Sequence, residues 1–175
     1  YHEATPGHHH QIAHSLENES LTMYRRFGYG TSAFSEGWAL YAERLALEVG
    51  LAENPYDELG ILQSELFRAV RLVVDTGMHY KKWTREEAMQ YMKSKTGMSD
   101  TEVRVEIERY IVWPGQALSY KVGMIKILEL REKAKKELGD KFNIKDFHSA
   151  VLDHGNPPLF IVEEMVDKMI EESKG

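Results

Sequence analysis

The sequence contains no cysteine. Disulfides and thiolate metal sites are therefore excluded, and any metal must be held by histidine and carboxylate. The lack of cysteine does not fix a compartment, because secreted proteins can also do without it, so cytoplasmic and exported placements both stay open. Basic residues are in deficit, 22 Lys and Arg against 28 Asp and Glu, for a formal charge of −6. That argues against non-specific nucleic-acid binding, which needs a basic surface. No apolar run approaches the ~18 residues that a membrane span requires. Proline occurs only five times, at positions 6, 55, 114, 157 and 158. Asn-Gly and Asp-Gly hairpin turns are missing, and no stretch alternates apolar and polar for long, so strands are not expected.

What is present reads as helix. The chain of 175 residues is 42% hydrophobic and 29% charged, which suits one soluble domain with a real core. Asn54-Pro55 and Asn156-Pro157 both read as helix starts, with an N-cap followed by proline at the first helical position. Thr84-x-x-Glu87 and Ser99-x-x-Glu102 are capping boxes. Gly50, Gly97, Gly139 and Gly155 fall where helices stop. Helices are expected over roughly 8–20, 32–49, 55–81, 84–95, 99–112, 115–138, 144–153 and 157–173. In the third, Leu59, Leu62, Leu66, Ala69, Val70, Val73 and Val74 form an apolar stripe that reads as core. Leu159, Val162, Met165, Val166, Met169 and Ile170 form another. Lys133, Lys135, Lys136 and Glu137 read as a solvated face. The expectation is one all-α domain over 1–175, of seven to eight helices.

The first ten residues, YHEATPGHHH, carry the strongest chemical signal. His2-Glu3 is followed by His8, an H-E-x-x-H pattern stretched by two residues and interrupted by Pro6-Gly7. Imidazoles are good zinc ligands, and a glutamate beside one can act as a general base. On a regular helix, residues six apart are rotated by about 240°, so His2 and His8 do not share a face. Proline lacks an amide to donate and glycine tolerates unusual dihedrals, so the pair is able to insert a bulge. Two extra residues in such a bulge restore an effective four-residue offset. The alternative is a Pro-Gly turn with two unrelated histidines.

A rival lies alongside: His10, His14 and Glu17 share one face of an undistorted helix, either as ligands or as polar residues facing water. His9 competes with His8. Glu36 follows the loop Phe27-Gly28-Tyr29-Gly30, near the start of a helix, and is a candidate third ligand. Glu43 stands two turns further on nearly the same face and is a candidate to orient a histidine. Either glutamate is otherwise a surface carboxylate.

Together, HEATPGHHHQ, SEGWALYAERLA, RLVVDTGMH, RYIVWPGQALSYKVG and FHSAVLDHGNPPL resemble the bacterial domain of unknown function 885 family. The resemblance covers nearly the whole chain. Through that family the chain resembles all-helical gluzincin metallopeptidases. The family pattern H-E-x-x-P-G-H-x-L-Q is matched at His2, Glu3, Pro6, Gly7, His8 and Gln11. His10 departs from it, which weakens the rival site and favours His8 over His9.

The resemblance implies zinc held by His2, His8 and Glu36, with Glu3 as general base. Tyr110 and Tyr120 are the candidate donors to the tetrahedral intermediate, or else core tyrosines. Arg71, Arg109 and Gln116 lie in the shared motifs. The two arginines are candidates for a substrate carboxylate, though Arg71 paired with Asp75 is an equal reading. His79, His148 and His154 are further candidates, each otherwise structural. The implied activity is zinc-dependent hydrolysis of peptides or small amides. The alternatives are a metallohydrolase of non-peptide amides or esters, and a non-catalytic helical scaffold. The resemblance also implies that the chain is the C-terminal part of a longer helical parent. A fragment of that kind is expected to hold zinc poorly, to lack activity alone, and to expose an apolar surface open to dimerisation.

Overall fold

A computed structural model describes residues 1–28 and 30–175. Those residues are 76% helical and include no strand. Nine α-helices occur among them: α1 (His8–Glu17), α2 (Met23–Phe27), α3 (Ser32–Glu48), α4 (Pro55–His79), α5 (Arg85–Thr96), α6 (Asp100–Val112), α7 (Gln116–Leu138), α8 (Ile144–Leu152) and α9 (Leu159–Lys174). The all-α expectation holds. The chain falls into two compact units, 1–43 with 123–175, and 44–122, with the boundaries inside α3 and α7.

Local chemistry places most of the helix ends. Asn54 caps α4 by accepting the Tyr56 and Asp57 amides, with Pro55 at the first helical position. Both capping boxes form as their spacing predicts, Thr84 with Glu87 and Ser99 with Glu102. Gly97 closes α5 in the left-handed region, at φ 68°. One expectation fails, and one helix was not foreseen. Asn156 is not a helix cap, because α9 begins at Leu159 after an extended Pro158. The ring of Pro158 disfavours helical backbone at Pro157, so the start is delayed. The short helix α2, capped by Thr22, is too brief to leave an apolar period in the sequence.

The first unit has a core of Phe34, Trp38, Tyr41, Met124, Ile127, Phe147, Val151, Val162 and Val166, each at most 1% exposed. Within it α3 and α7 cross at Gly37 and Gly123. A Cβ on Gly123 would lie 1.8 Å from the Ala33 carbonyl oxygen, and one on Gly37 would lie 2.4 Å from the Gly123 Cα. No larger residue fits either position without separating the helices. In the second unit Val70, Val74, Met78, Ala88, Met92, Val103, Ile107 and Tyr110 form the core, with Phe67 and Trp83 against it.

The stripe on α4 divides. Val70 and Val74 are buried, whereas Leu59, Leu62, Leu66 and Val73 are exposed, which corrects their reading as core. Apolar periodicity marks the face of a helix that seeks cover but does not say what supplies it. Two glycines should respond with opposite signs to the same change. Gly123→Ala should destabilise the fold by about 1–3 kcal/mol through overpacking at the crossing. Gly60→Ala, in an open stretch of α4 with no atom within 4 Å of the new Cβ, should stabilise it by about 0.5–1 kcal/mol through helix propensity. Urea denaturation measures both.

Candidate metal centre

The chain entering α1 is wound with two extra residues. The amides of His8, His9 and His10 donate to the carbonyls of His2, Glu3 and Ala4 at 2.8, 3.0 and 3.3 Å, six residues back instead of four. Regular spacing resumes at Gln11, whose amide bonds the Gly7 carbonyl at 3.0 Å. The bulge that Pro6-Gly7 allows is thus formed. Pro6 has no amide to leave unpaired inside it, and the Thr5–Pro6 peptide is cis. Gly7 is required sterically, since a Cβ there would lie 1.8 Å from the His2 carbonyl oxygen. As a result the rings of His2 and His8 meet edge to face, with centroids 4.9 Å apart. His2, Glu3 and His8 each bring a ligand-type atom within 4.8 Å of the others.

Helix α3 supplies two further carboxylates. Glu36 and Glu43 stand seven residues apart, on one face. Glu36 Oε2 lies 3.2 Å from His8 Nε2 and 3.6 Å from His2 Nε2. Glu43 Oε1 lies 2.6 Å from the other nitrogen of His2, Nδ1. An ionised carboxylate only accepts, so Nδ1 is the donor in that short bond, and Nε2 is the nitrogen nearer Glu36. All four side chains are mostly shielded, at 12–19% exposed. From the same helix the Trp38 indole Nε1 donates to the Pro6 carbonyl at 2.8 Å.

The rival face on α1 does not gather. His14 bonds Asp153 at 2.6 Å, and Asn18 donates to the Asp153 carbonyl, so this end of α1 is tied to the end of α8. His10, Glu17 and His9 are exposed. His148 Nε2 meets the Tyr41 hydroxyl at 2.8 Å in the core. His154 lines a cavity of about 240 Å³ with Arg25, Thr31 and Asn156, and burial lowers its pKa from the ordinary value. Of the loop Phe27-Gly28-Tyr29-Gly30, Tyr29 lies outside the described residues. The structural parts played by Asp153 and Trp38 were not foreseen, although both residues stand in the shared motifs.

The second unit gathers most of the remaining candidates around Arg71, which is 2% exposed. Its guanidinium donates to Gln116 Oε1 at 3.1 Å and lies 4.2 Å from the centre of the Tyr120 ring. Gln116 Nε2 in turn donates to the Tyr120 hydroxyl at 3.3 Å. Asp75 accepts the Gly115 amide at 3.0 Å. The Tyr110 hydroxyl donates to Glu106, and burial drives its pKa far above the ordinary phenol value. His79 bonds the Tyr110 carbonyl at 2.9 Å, and Arg109 pairs with Glu106 at 3.7 Å. Arg71, His79 and Tyr110 therefore hold this unit together, and buried Arg71 is poorly placed to meet a substrate.

The family described as bacterial protein of unknown function (DUF885) matches residues 1–166. The chain belongs to the DUF885 family. Two solved structures agree with it along almost its whole length. One is the crystal structure of a "putative lipoprotein" from Colwellia psychrerythraea, 54% identical, with a TM-score of 0.93 over 98% of this chain. The other is a "putative lipoprotein of unknown function" from Shewanella oneidensis, 31% identical, with a TM-score of 0.86 over 94%. The DUF885 chain spans only 29% and 30% of those two proteins. No curated protein matches it.

Two outcomes are expected from this geometry. Gly7→Ala should open the bulge and cost about 1–3 kcal/mol, because a methyl group displaces the His2 carbonyl. Urea denaturation gives the cost, and loss of amide protection at His8 to His10 locates it. Asp75 titrates above its ordinary value of 3.8, with burial the largest cause. A raised folded-state pKa gives a contribution that is full below the unfolded value and lost as pH rises through the folded one. Stability measured across pH should therefore favour Asp75→Asn progressively over the parent as pH rises above 3.8, and the gap should close below it.

Proposed function

We propose that His2, His8 and Glu36 hold a zinc ion, and that the protein is a metal-dependent hydrolase acting on peptide or small amide bonds. The supporting observation is the convergence of two imidazole Nε2 atoms on one oxygen of Glu36, while Glu43 holds the far side of the His2 ring. Two nitrogens and one carboxylate oxygen are a donor set that zinc accepts, with room for a further ligand. The carboxylate on the outer nitrogen fixes the tautomer and raises the basicity of the inner one. When bound, zinc lowers the pKa of water and polarises a carbonyl.

Both Glu3 and Glu36 have a carboxylate near the histidines, and their roles divide by support. Glu36 is delivered by a long helix and reaches both Nε2 atoms, which suits a ligand. Glu3 is exposed and brings a carboxylate oxygen within 4.8 Å of a ring nitrogen of each histidine, which suits a base that takes a proton from the attacking water and returns it to the leaving amine. Tyr110 is the weaker of the two tyrosine candidates, because its hydroxyl proton is already given to Glu106.

The test is zinc content by elemental analysis of the Colwellia relative, with substitutions at the positions aligned with His2, Glu3 and His8, since this chain spans only 29% of that protein. Near-stoichiometric zinc is expected in the parent and in Glu3→Gln, with loss in His8→Ala. Glu3→Gln should then lower peptide hydrolysis by about 10²–10⁴-fold with the metal retained. A parent protein that takes up no zinc when zinc is added back would remove the hydrolase reading and leave a helical scaffold. Zinc uptake with cleavage of non-peptide amides alone would move the substrate class.

A further inference from the structure

The ligand set alone gives no role to Trp38, yet this residue joins the two segments that carry the set. Its ring is 1% exposed, and its indole Nε1 donates to the Pro6 carbonyl at 2.8 Å. Pro6 lies inside the bulge, between the histidines. The three six-residue hydrogen bonds fix the ends of that loop, and the indole holds a carbonyl between them. Trp38 itself is fixed by His148, which stands perpendicular to it at 5.5 Å, and by Tyr41 at 5.5 Å. It also stands two residues from Glu36, so one turn of α3 carries both a carboxylate of the cluster and the clamp on the histidine loop.

We propose that Trp38 is a positioning residue whose indole N–H clamps the His2–His8 bulge to α3, so that both imidazoles keep a common geometry with Glu36. The purpose of the clamp rests on the zinc reading, but the clamp can be tested without metal. Amide hydrogen exchange at His8, His9 and His10 reports opening of the bulge. Trp38→Phe keeps an aromatic ring and removes the donor, leaving the Pro6 carbonyl short of a partner. Exchange at the three amides should accelerate by about tenfold relative to Met124 and Ile127 in α7, the change expected for one lost hydrogen bond. Tyr41→Phe removes a core hydroxyl that bonds His148 and should leave the bulge amides unchanged relative to the same reference.

A ring that packs without clamping predicts no selective effect, so unchanged protection in Trp38→Phe would overturn the proposal. Equal loss in Tyr41→Phe would also overturn it, because any core defect would then open the bulge. The unsubstituted protein offers a check that does not depend on the variants folding. The Trp38 indole N–H should exchange no more than about tenfold faster than the three amides, since breaking it is part of the same opening, and a faster rate would count against the clamp. Zinc titration against a competing chelator should show affinity about tenfold weaker in Trp38→Phe, the range for loss of an outer-shell support. No zinc uptake by the parent would remove the zinc reading while the exchange result still decides the clamp.

Discussion

A wide turn with two extra residues, just before α1, sets where the two histidines meet. In a regular helix His2 and His8 diverge. Hydrogen bonds that reach six residues back bring them edge to face at 4.9 Å. The insertion requires a residue with no amide to strand and a neighbour with no side chain, and Pro6-Gly7 meets both conditions. The steric margin at Gly7 is nil, because the space for its Cβ is already filled by the His2 carbonyl. The first histidine is thus positioned by a glycine that has no chemistry of its own.

The bulge would serve little purpose without a rigid partner, and α3 provides one. Its small residue Gly37 lets α7 approach at Gly123, and Trp38 and Tyr41 pack into the core. Glu36 and Glu43 leave the same helix two turns apart and meet opposite nitrogens of the His2 ring. Close packing holds this helix in place, so it fixes the spacing of the carboxylates as a single unit. At its other end α1 is tied by His14 to Asp153, so polar contacts secure both ends of the segment that carries His8.

Much of the architecture was legible in the sequence because local rules decide it. Capping boxes at Thr84 and Ser99 and the stop at Gly97 need only neighbours along the chain. The bulge was legible as a possibility from Pro6-Gly7, since it too is local. Partners distant in sequence were not. Nothing in the spacing distinguishes His14 as a tie to Asp153 from His14 as a ligand, because the residue 139 positions away is invisible to periodicity. The exposed Leu59, Leu62 and Leu66 show the same gap: period gives a face, and only the fold gives its neighbour. Arg71 reads as a carboxylate-binding residue in isolation. The fold buries it beneath Tyr120, with its Nη2 donating to Gln116.

Charge bears on the cation proposed for the bulge. Three carboxylates, Glu3, Glu36 and Glu43, surround two imidazoles, and several of these groups are mostly shielded from water. Like charges gathered in a shielded site are costly unless positive charge is supplied. A doubly protonated His2 could bridge Glu36 and Glu43, but its two contacts are unequal. The Nδ1 contact of 2.6 Å is a hydrogen bond, whereas 3.6 Å at Nε2 is too long for one. The asymmetry puts the stronger of the two contacts on the Glu43 side of the ring. The proposed zinc ion would offset the charge of the two shielded carboxylates where a single imidazole contact of hydrogen-bond length does not.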